Sequence, residues 1–254
     1  DDGINAPGLS VLENIANIIA GSDGEVWIVA PSSEQSGVAH CISFTKPMQI
    51  SKISERKFSV DGSPADCVLA GIYDVMRSNK PDLILSGVNR GNNSADNSLY
   101  SGTIGAAIEG TILKIKSIAL SQYLGPRNIK NKDPFEAANY YGAEIIEKLL
   151  EYNEWGTGDY RLFYNVNFPP VGAKEVLGSK LAPLGFRENS SFSVEPSLSP
   201  GGKRFLWIKG GPQDIPTKEN TDAAVNLNGY ISITPMNTDL TDYSSLEKLM
   251  RKFK

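Results

Sequence analysis

The sequence predicts an α/β protein: a three-layer α/β/α, Rossmann-like, mainly parallel sheet with a protruding C-terminal hairpin and a terminal helix. Three observations carry this. Residues 26–30 are a short, continuous apolar run, and 83–85 and 117–120 likewise read as short strands buried on both faces. Segments of helical periodicity lie between them, and that alternation is the pattern of a parallel sheet covered by helices. The second half breaks the alternation with a polar stretch rich in Ser, Pro and Gly over residues 188–202, which reads as an excursion from the core.

Taken in order, Asn5-Ala6-Pro7 is a helix start, with proline in the first turn. Leu9, Leu12, Ile15 and Ile19 recur at helical spacing until Gly21 closes the segment. After the strand at 26–30 comes a polar loop, 31–37, and a helix over 65–76 precedes the strand at 83–85. A loop rich in Gly and Asn covers 86–98, followed by a helix over 103–115, the strand at 117–120 and a long amphipathic helix over 135–150. Residues 162–168, 205–208 and 229–234 read as strands, and 244–253 as the terminal helix, with the Lys248 to Lys254 run as its solvated end. The nearest approach to a boundary lies at 172–184. Residues 1–180 are therefore expected to form the Rossmann-like domain, and 181–254 a C-terminal extension.

A hydrophobic fraction of 40% and a charged fraction of 21% describe an ordinary globular chain able to bury a large core. No apolar run approaches the ~20 residues of a membrane span. The net charge of −4 argues against a nucleic-acid polymer as partner, because such partners demand a broad basic face. Cys41 and Cys67 are too few for a disulfide scaffold and read as reduced, packed thiols of a cytoplasmic protein. His40, the sole histidine, removes imidazole-rich zinc sites and His-dependent triads, and is itself read as a packing or local hydrogen-bonding residue. The chemistry is left to carboxylates, hydroxyls, amides and a hard cation.

In open parallel sheets, ligands bind outside the carboxyl ends of the strands. Loops 1–5, 31–37 and 86–101 are expected there. Asp1-Asp2-Gly3 sets two carboxylates side by side, a repulsion most readily offset by a divalent cation, although the same tripeptide is also a common turn. Ser36 and Gly37 offer a hydroxyl ligand and a backbone N–H, or simply a solvated turn. The asparagines of 86–93 supply neutral oxygen ligands and N–H donors, and equally stabilise turns. Tyr100-Ser101-Gly102-Thr103-Ile104-Gly105 opens a helix with small residues and two hydroxyls, which suits either a phosphate cradle or an ordinary N-cap. It lacks the lysine of a Walker A loop and the third glycine of a dinucleotide fingerprint, so a dinucleotide oxidoreductase is the weakest reading.

These segments together resemble the SurE family, the stationary-phase survival proteins with 5'-nucleotidase activity. The resemblance rests on Asp1-Asp2-Gly3-Ile4-Asn5-Ala6-Pro7-Gly8, Val29-Ala30-Pro31 with Ser36-Gly37, and Gly62-Ser63-Pro64-Ala65-Asp66-Cys67. It continues through Ser86-Gly87-Val88-Asn89-Arg90-Gly91, Tyr100-Ser101-Gly102-Thr103 and Ile233-Thr234-Pro235. It implies one divalent ion per subunit, Mg²⁺ or Mn²⁺, held by Asp1, Asp2, Ser36 and Asn89, with Asp1 and Asp2 catalytic. Phosphate would meet Gly37, Asn93, Ser101, Gly102 and Thr103. It further implies hydrolysis of nucleoside 5'- and 3'-monophosphates, possibly of short polyphosphate, and a homodimer or homotetramer that exchanges C-terminal segments. Departures are few: Ser63 where the family often has Thr, and Asn237 where some members have a histidine. The family also begins with a strand ahead of the Asp pair, which is expected in the natural protein. Two rivals remain at this point: an aspartyl-phosphate route through Asp1 or Asp2, and a non-catalytic nucleotide-binding module.

Overall fold

The computed structural model describes residues 1–188, 190 and 192–253. Helix α1 (Pro7–Ala20) begins with proline in its first turn and buries Leu12 and Ile15, the face its spacing dictates. Strand β1 (Ile28–Pro31) pairs in parallel with β3 (Lys57–Val60), which pairs antiparallel with β2 (Ile50–Ser54). Helix α2 (Pro64–Ala70) is followed by one π-turn, Gly71–Val75, so the helix expected over 65–76 widens and ends irregularly.

The larger sheet contains β4 (Leu83–Arg90), β5 (Lys116–Gln122), β6 (Leu162–Phe168), β7 (Ser179–Leu181) and β10 (Ile231–Asn237), in the order β4-β5-β6-β10-β7. The first three run parallel, β10 is antiparallel to β6, and β7 is parallel to β10. Helices cover both faces, giving the expected three layers. On one side α1 and α4 (Glu136–Tyr152) pack Leu12, Ile15, Ile145, Ile146 and Leu149 against Ile118, Leu120, Val166 and Phe168. On the other, α3 (Gly102–Ile112) places Ile104 and Ala107 on Ala119 and Phe163. Alternate residues of β5 and β6 thus serve opposite layers, which is why apolar residues fall on consecutive positions at 118–120 and 163–164.

Between β1 and β4 lies a cavity of about 760 Å³, lined by residues 26–31 and 83–87 and reaching Asp1.

One expectation is corrected, and further elements are added. Residues 86–90 belong to β4, not to a loop: Asn89 and Arg90 pair with Ser121 and Gln122 beyond a register shift after Ser86, so ladder hydrogen bonding overrides the Gly- and Asn-rich composition. Strands β2 and β3 were not read from the sequence, since β2 is exposed throughout and has no apolar face to mark it. Helix α5 (Asp222–Leu227) is also additional. Strands β8 (Ser193–Leu198) and β9 (Arg204–Lys209) form the protruding hairpin, its residues 205–208 pairing only with β8. Of the 188–202 excursion, Asn189 and Ser191 lie outside the described residues. The hairpin exposes Leu198, Phe205, Leu206, Trp207 and Ile208, and the terminal helix α6 (Tyr243–Met250), shorter than the expected 244–253, buries no residue. Lys254 lies outside the described residues. Strand β10 of the extension completes the larger sheet between β6 and β7, so the extension both builds the sheet and carries the hairpin.

Candidate active site

Four segments meet at the carboxyl ends of β1 and β4: residues 1–5, the loop after β1, the end of β4 and the start of α3. Backbone hydrogen bonds fix the first two together, from Ile4 N to Pro31 O at 2.8 Å and from Gln35 N to Asp1 O at 2.9 Å. Gly3 adopts φ +98°, and a Cβ there would stand 3.2 Å from the Ser33 carbonyl carbon. Gly3 therefore takes a left-handed backbone conformation and packs closely on the loop after β1. The loop after β1 is in turn held to α3, because Ala39 N donates to Tyr100 O at 3.1 Å.

Asp1 sits at the centre of this arrangement. Its Oδ2 accepts from Thr103 N at 3.3 Å and from Thr103 Oγ1 at 3.2 Å. Its Oδ1 is buried with no hydrogen-bond partner among the described residues. A buried carboxylate oxygen without a donor is costly and asks for a cation or a proton. Asp2 Oδ2 accepts from Arg90 N at 2.8 Å, which draws Asp2 to the end of β4. The neighbouring Asn89 is nearly buried, and its Nδ2 donates to Gly91 O at 3.0 Å, so the amide is oriented with Oδ1 left as an acceptor. Ser36 is exposed; its hydroxyl donates to Glu34 Oε1 at 2.8 Å and keeps its lone pairs for a ligand. Gly37 follows it at φ +78°.

These donors fit a hard divalent ion. All four are oxygens, two of them anionic, which suits Mg²⁺ or Mn²⁺ and not a thiophilic metal. No group of three His, Cys, Asp or Glu side chains able to hold a metal occurs among the described residues, so a cation here would rely on the neutral oxygens of Ser36 and Asn89 beside the carboxylates.

At the start of α3, Ser101 is the N-cap: its Oγ accepts from Ile104 N at 3.1 Å. The ordinary capping role and the proximity to Asp1 thus coexist. Thr103 is fully buried and directs both its N–H and its hydroxyl at Asp1, so in this arrangement it supports the carboxylate directly. Asn93 is drawn down onto the sheet. Its Nδ2 donates to Ser121 Oγ at 2.8 Å, its N–H to Asn167 Oδ1 at 2.7 Å, and its carbonyl accepts from Asn165 Nδ2 at 2.8 Å. One amide hydrogen of Asn93 remains for an anion.

Sequence reasoning gave no role to two supporting residues, Asp66 and Glu109. Asp66 is fully buried and binds Ser43 N at 3.0 Å, Ser43 Oγ at 2.8 Å and Ser63 N at 2.8 Å. Burial opposes its ionisation, but these hydrogen bonds outweigh that and hold its carboxyl below the usual range. The signal was available: Ser63-Pro64-Ala65-Asp66 is a capping box at the start of α2. Glu109, on α3, meets His40 Nε2 at 2.7 Å, which places His40 in the local hydrogen-bonding role expected of it and ties the loop to the helix again. Cys67 is buried and its thiol is pushed up to about 12 by burial, whereas Cys41 is exposed, contrary to the expectation that both are packed.

A family model described as "Survival protein SurE" matches residues 1–191. The chain belongs to the SurE family. A SurE relative from Cereibacter sphaeroides (strain ATCC 17025 / ATH 2.4.3), named "5'-nucleotidase SurE", is 61% identical over 249 residues, covering 98% of this chain and 95% of its own length. The protein of the same name from Roseobacter denitrificans (strain ATCC 33942 / OCh 114) is 59% identical over the same shares. Among solved structures, the SurE protein from Aquifex aeolicus matches with a TM-score of 0.79 at 36% identity, covering 100% of this chain and 97% of that one.

Proposed function

We propose that the chain is a metal-dependent phosphatase that hydrolyses nucleoside 5'-monophosphates, and also 3'-monophosphates and short polyphosphate, to release inorganic phosphate. The observation that carries this reading is Asp1: a buried carboxylate oxygen without a hydrogen-bond partner among the described residues, at the N-terminus of α3. The names of the SurE relatives at about 60% identity support the same reaction.

Asp1, Asp2, Ser36 and Asn89 would hold the ion. A bound Mg²⁺ or Mn²⁺ supplies charge neutralisation at the phosphoryl group and lowers the pKa of a bound water. The protein's own part is positioning. The amino end of α3 carries the partial positive charge of its dipole and, with Ser101, Gly102, Gly37 and the free amide hydrogen of Asn93, receives the phosphoryl oxygens, while Thr103, expected from the resemblance to meet phosphate, has both donors committed to Asp1. Thr103 fixes the Asp1 carboxylate, and Arg90 N fixes that of Asp2, so neither must reorganise as charge develops. One of these two aspartates takes the proton of the attacking water.

The exposed apolar hairpin β8–β9 and the unburied helix α6 support a homodimer or homotetramer built by exchange of C-terminal segments. No helix among the described residues is long and apolar enough to cross a membrane, and a cytoplasmic location is part of this proposal. The test is phosphate release from a panel of nucleoside 5'- and 3'-monophosphates and polyphosphate with Mg²⁺, Mn²⁺ or EDTA. Release that needs a metal, stops with EDTA and returns on adding the metal back is expected. Undiminished release in EDTA, or none with either metal, would overturn the proposal.

A further inference from the structure

The loop between β4 and α3 carries Asn93 and leads into Ser101, yet its strongest fastenings come from far along the chain. Arg187 is 3% exposed. Its guanidinium donates to Ser94 O at 2.8 Å, to Asn92 Oδ1 at 2.9 Å and to Ser94 Oγ at 2.7 Å, and lies 3.6 Å from Asp96 Oδ1. Its backbone N–H donates to Asp96 Oδ1 at 3.3 Å, and its Nε to Gln213 O at 3.3 Å. Asp222 is fully buried at the start of α5. Its carboxylate accepts from Ala95 N at 2.8 Å, Gly185 N at 2.8 Å and Ala223 N at 2.7 Å. Ala95, held in this grip, takes φ +52°, a conformation a non-glycine residue keeps only where its surroundings impose it. Asn97 Nδ2 adds a hydrogen bond to Gln213 Oε1.

A buried guanidinium and a buried carboxylate each need their full set of partners, and removing partners leaves a charge without compensation. Most partners of Arg187 lie on residues 92–96, and one of the three donors to Asp222 is Ala95. The loop can move only by leaving both groups short. Arg187 and Gln213 also flank the β8–β9 hairpin, so its root is bonded to the same loop.

We propose that Arg187 and Asp222 are positioning residues of the phosphate site: from the C-terminal extension they fix the loop that carries Asn93 and leads to Ser101, and so couple the hairpin root to that site. This rests on the phosphatase reading and deepens it. Neither residue touches the candidate metal ligands; both act through the backbone and side chains of 92–96.

The test uses the full chain with Arg187→Lys, Arg187→Ala and Asp222→Asn. Two quantities are read: hydrolysis of a nucleoside 5'-monophosphate at varied Mn²⁺, and calorimetric binding of inorganic phosphate to the Mn²⁺-loaded protein. A loop displaced by about 1 Å costs on the order of a hundredfold in turnover. The expected result is a fall in kcat/KM of about ten- to a hundredfold and weaker phosphate binding, with the Mn²⁺ concentration for half-maximal activity unchanged. Millimolar guanidinium should partly restore Arg187→Ala. If Arg187→Ala does not fold, Arg187→Lys and Asp222→Asn carry the same readings. Wild-type phosphate affinity and kcat/KM in the folded variants would overturn the proposal, as would a loss that follows weakened Mn²⁺ binding. Phosphate binding is independent of turnover. An inactive wild type would therefore count against the phosphatase reading alone, and a wild type that binds no phosphate would count against this one.

Discussion

Gly105 is the position where a single methyl group should separate two walls of the site. A Cβ built there would lie 2.3 Å from Ala39 O and 3.1 Å from His40 Cα, while real Cβ contacts essentially never fall below 3.0 Å. In Gly105→Ala the start of α3 and residues 38–40 must therefore part by about 0.7 Å, the difference between 2.3 Å and 3.0 Å. Neither side can yield by rotating a side chain, because the first obstacle is a backbone carbonyl. Overpacking of this kind costs about 1–3 kcal/mol. Alanine regains about 1 kcal/mol in helix propensity over glycine, so the net loss is roughly 0–2 kcal/mol. That is a few degrees of melting temperature at most per kcal/mol in a chain of this size, about 2–4 °C. Activity decides the matter more sharply. Moving residues 38–40 shifts Ser36 and Gly37 relative to Asp1 and Ser101, and a displacement approaching 1 Å costs on the order of a hundredfold. The assay is nucleoside monophosphate hydrolysis at saturating Mn²⁺ beside thermal unfolding. Expected is a fall in turnover of about ten- to a hundredfold in a folded protein. Full activity would refute the claim that the packing of α3 on this loop sets the site's geometry.

Asp2→Asn should keep the hydrogen bond from Arg90 N, since the amide oxygen still accepts, and so keep the fold while removing about 3 kcal/mol or more of charge stabilisation; turnover should fall a hundredfold or more with circular dichroism unchanged. Asp66, held below the usual carboxyl range, contributes stability that is fully present above its unfolded value near ~3.9 and is lost as pH falls through its lower folded value. Urea unfolding between about pH 5 and 2 should therefore show a flatter acid limb in Asp66→Asn than in the wild type, and identical limbs would contradict the assignment. Cys41 should react with a thiol reagent in the native protein while Cys67, buried with its thiol pushed up to about 12, should react only on unfolding; mass spectrometry of labelled peptides distinguishes them.

The sheet and its helices were legible because burial leaves a pattern: short apolar runs marked β1 and the start of β4, and apolar residues at helical spacing marked α1. Strand β2 was not, since an exposed strand with no apolar side leaves no period to read, and β3 is only four residues long, two of them Lys57 and Ser59. The end of β4 was missed for a different reason. Asn89 and Arg90 look like loop residues, and only their pairing with β5 makes them strand. At the site, residue chemistry identified the segments that meet around Asp1, but not how each side chain is used. Thr103 supports Asp1 and Asn93 reaches into the sheet, distinctions set by tertiary hydrogen bonds that no local pattern encodes. Arg187 and Asp222 escaped notice because they act on residues 92–96 from nearly a hundred positions or more away.

The account stands most directly on where a cation binds. A crystal of the full chain grown with Mn²⁺ and measured near the manganese edge would give its position from anomalous scattering. One peak within about 2.0–2.3 Å of oxygens from Asp1, Asp2 and Asn89, close to Ser36 and the amino end of α3, is the expected result. Manganese bound elsewhere, with the Asp1 Oδ1 oxygen still without a partner, would contradict it.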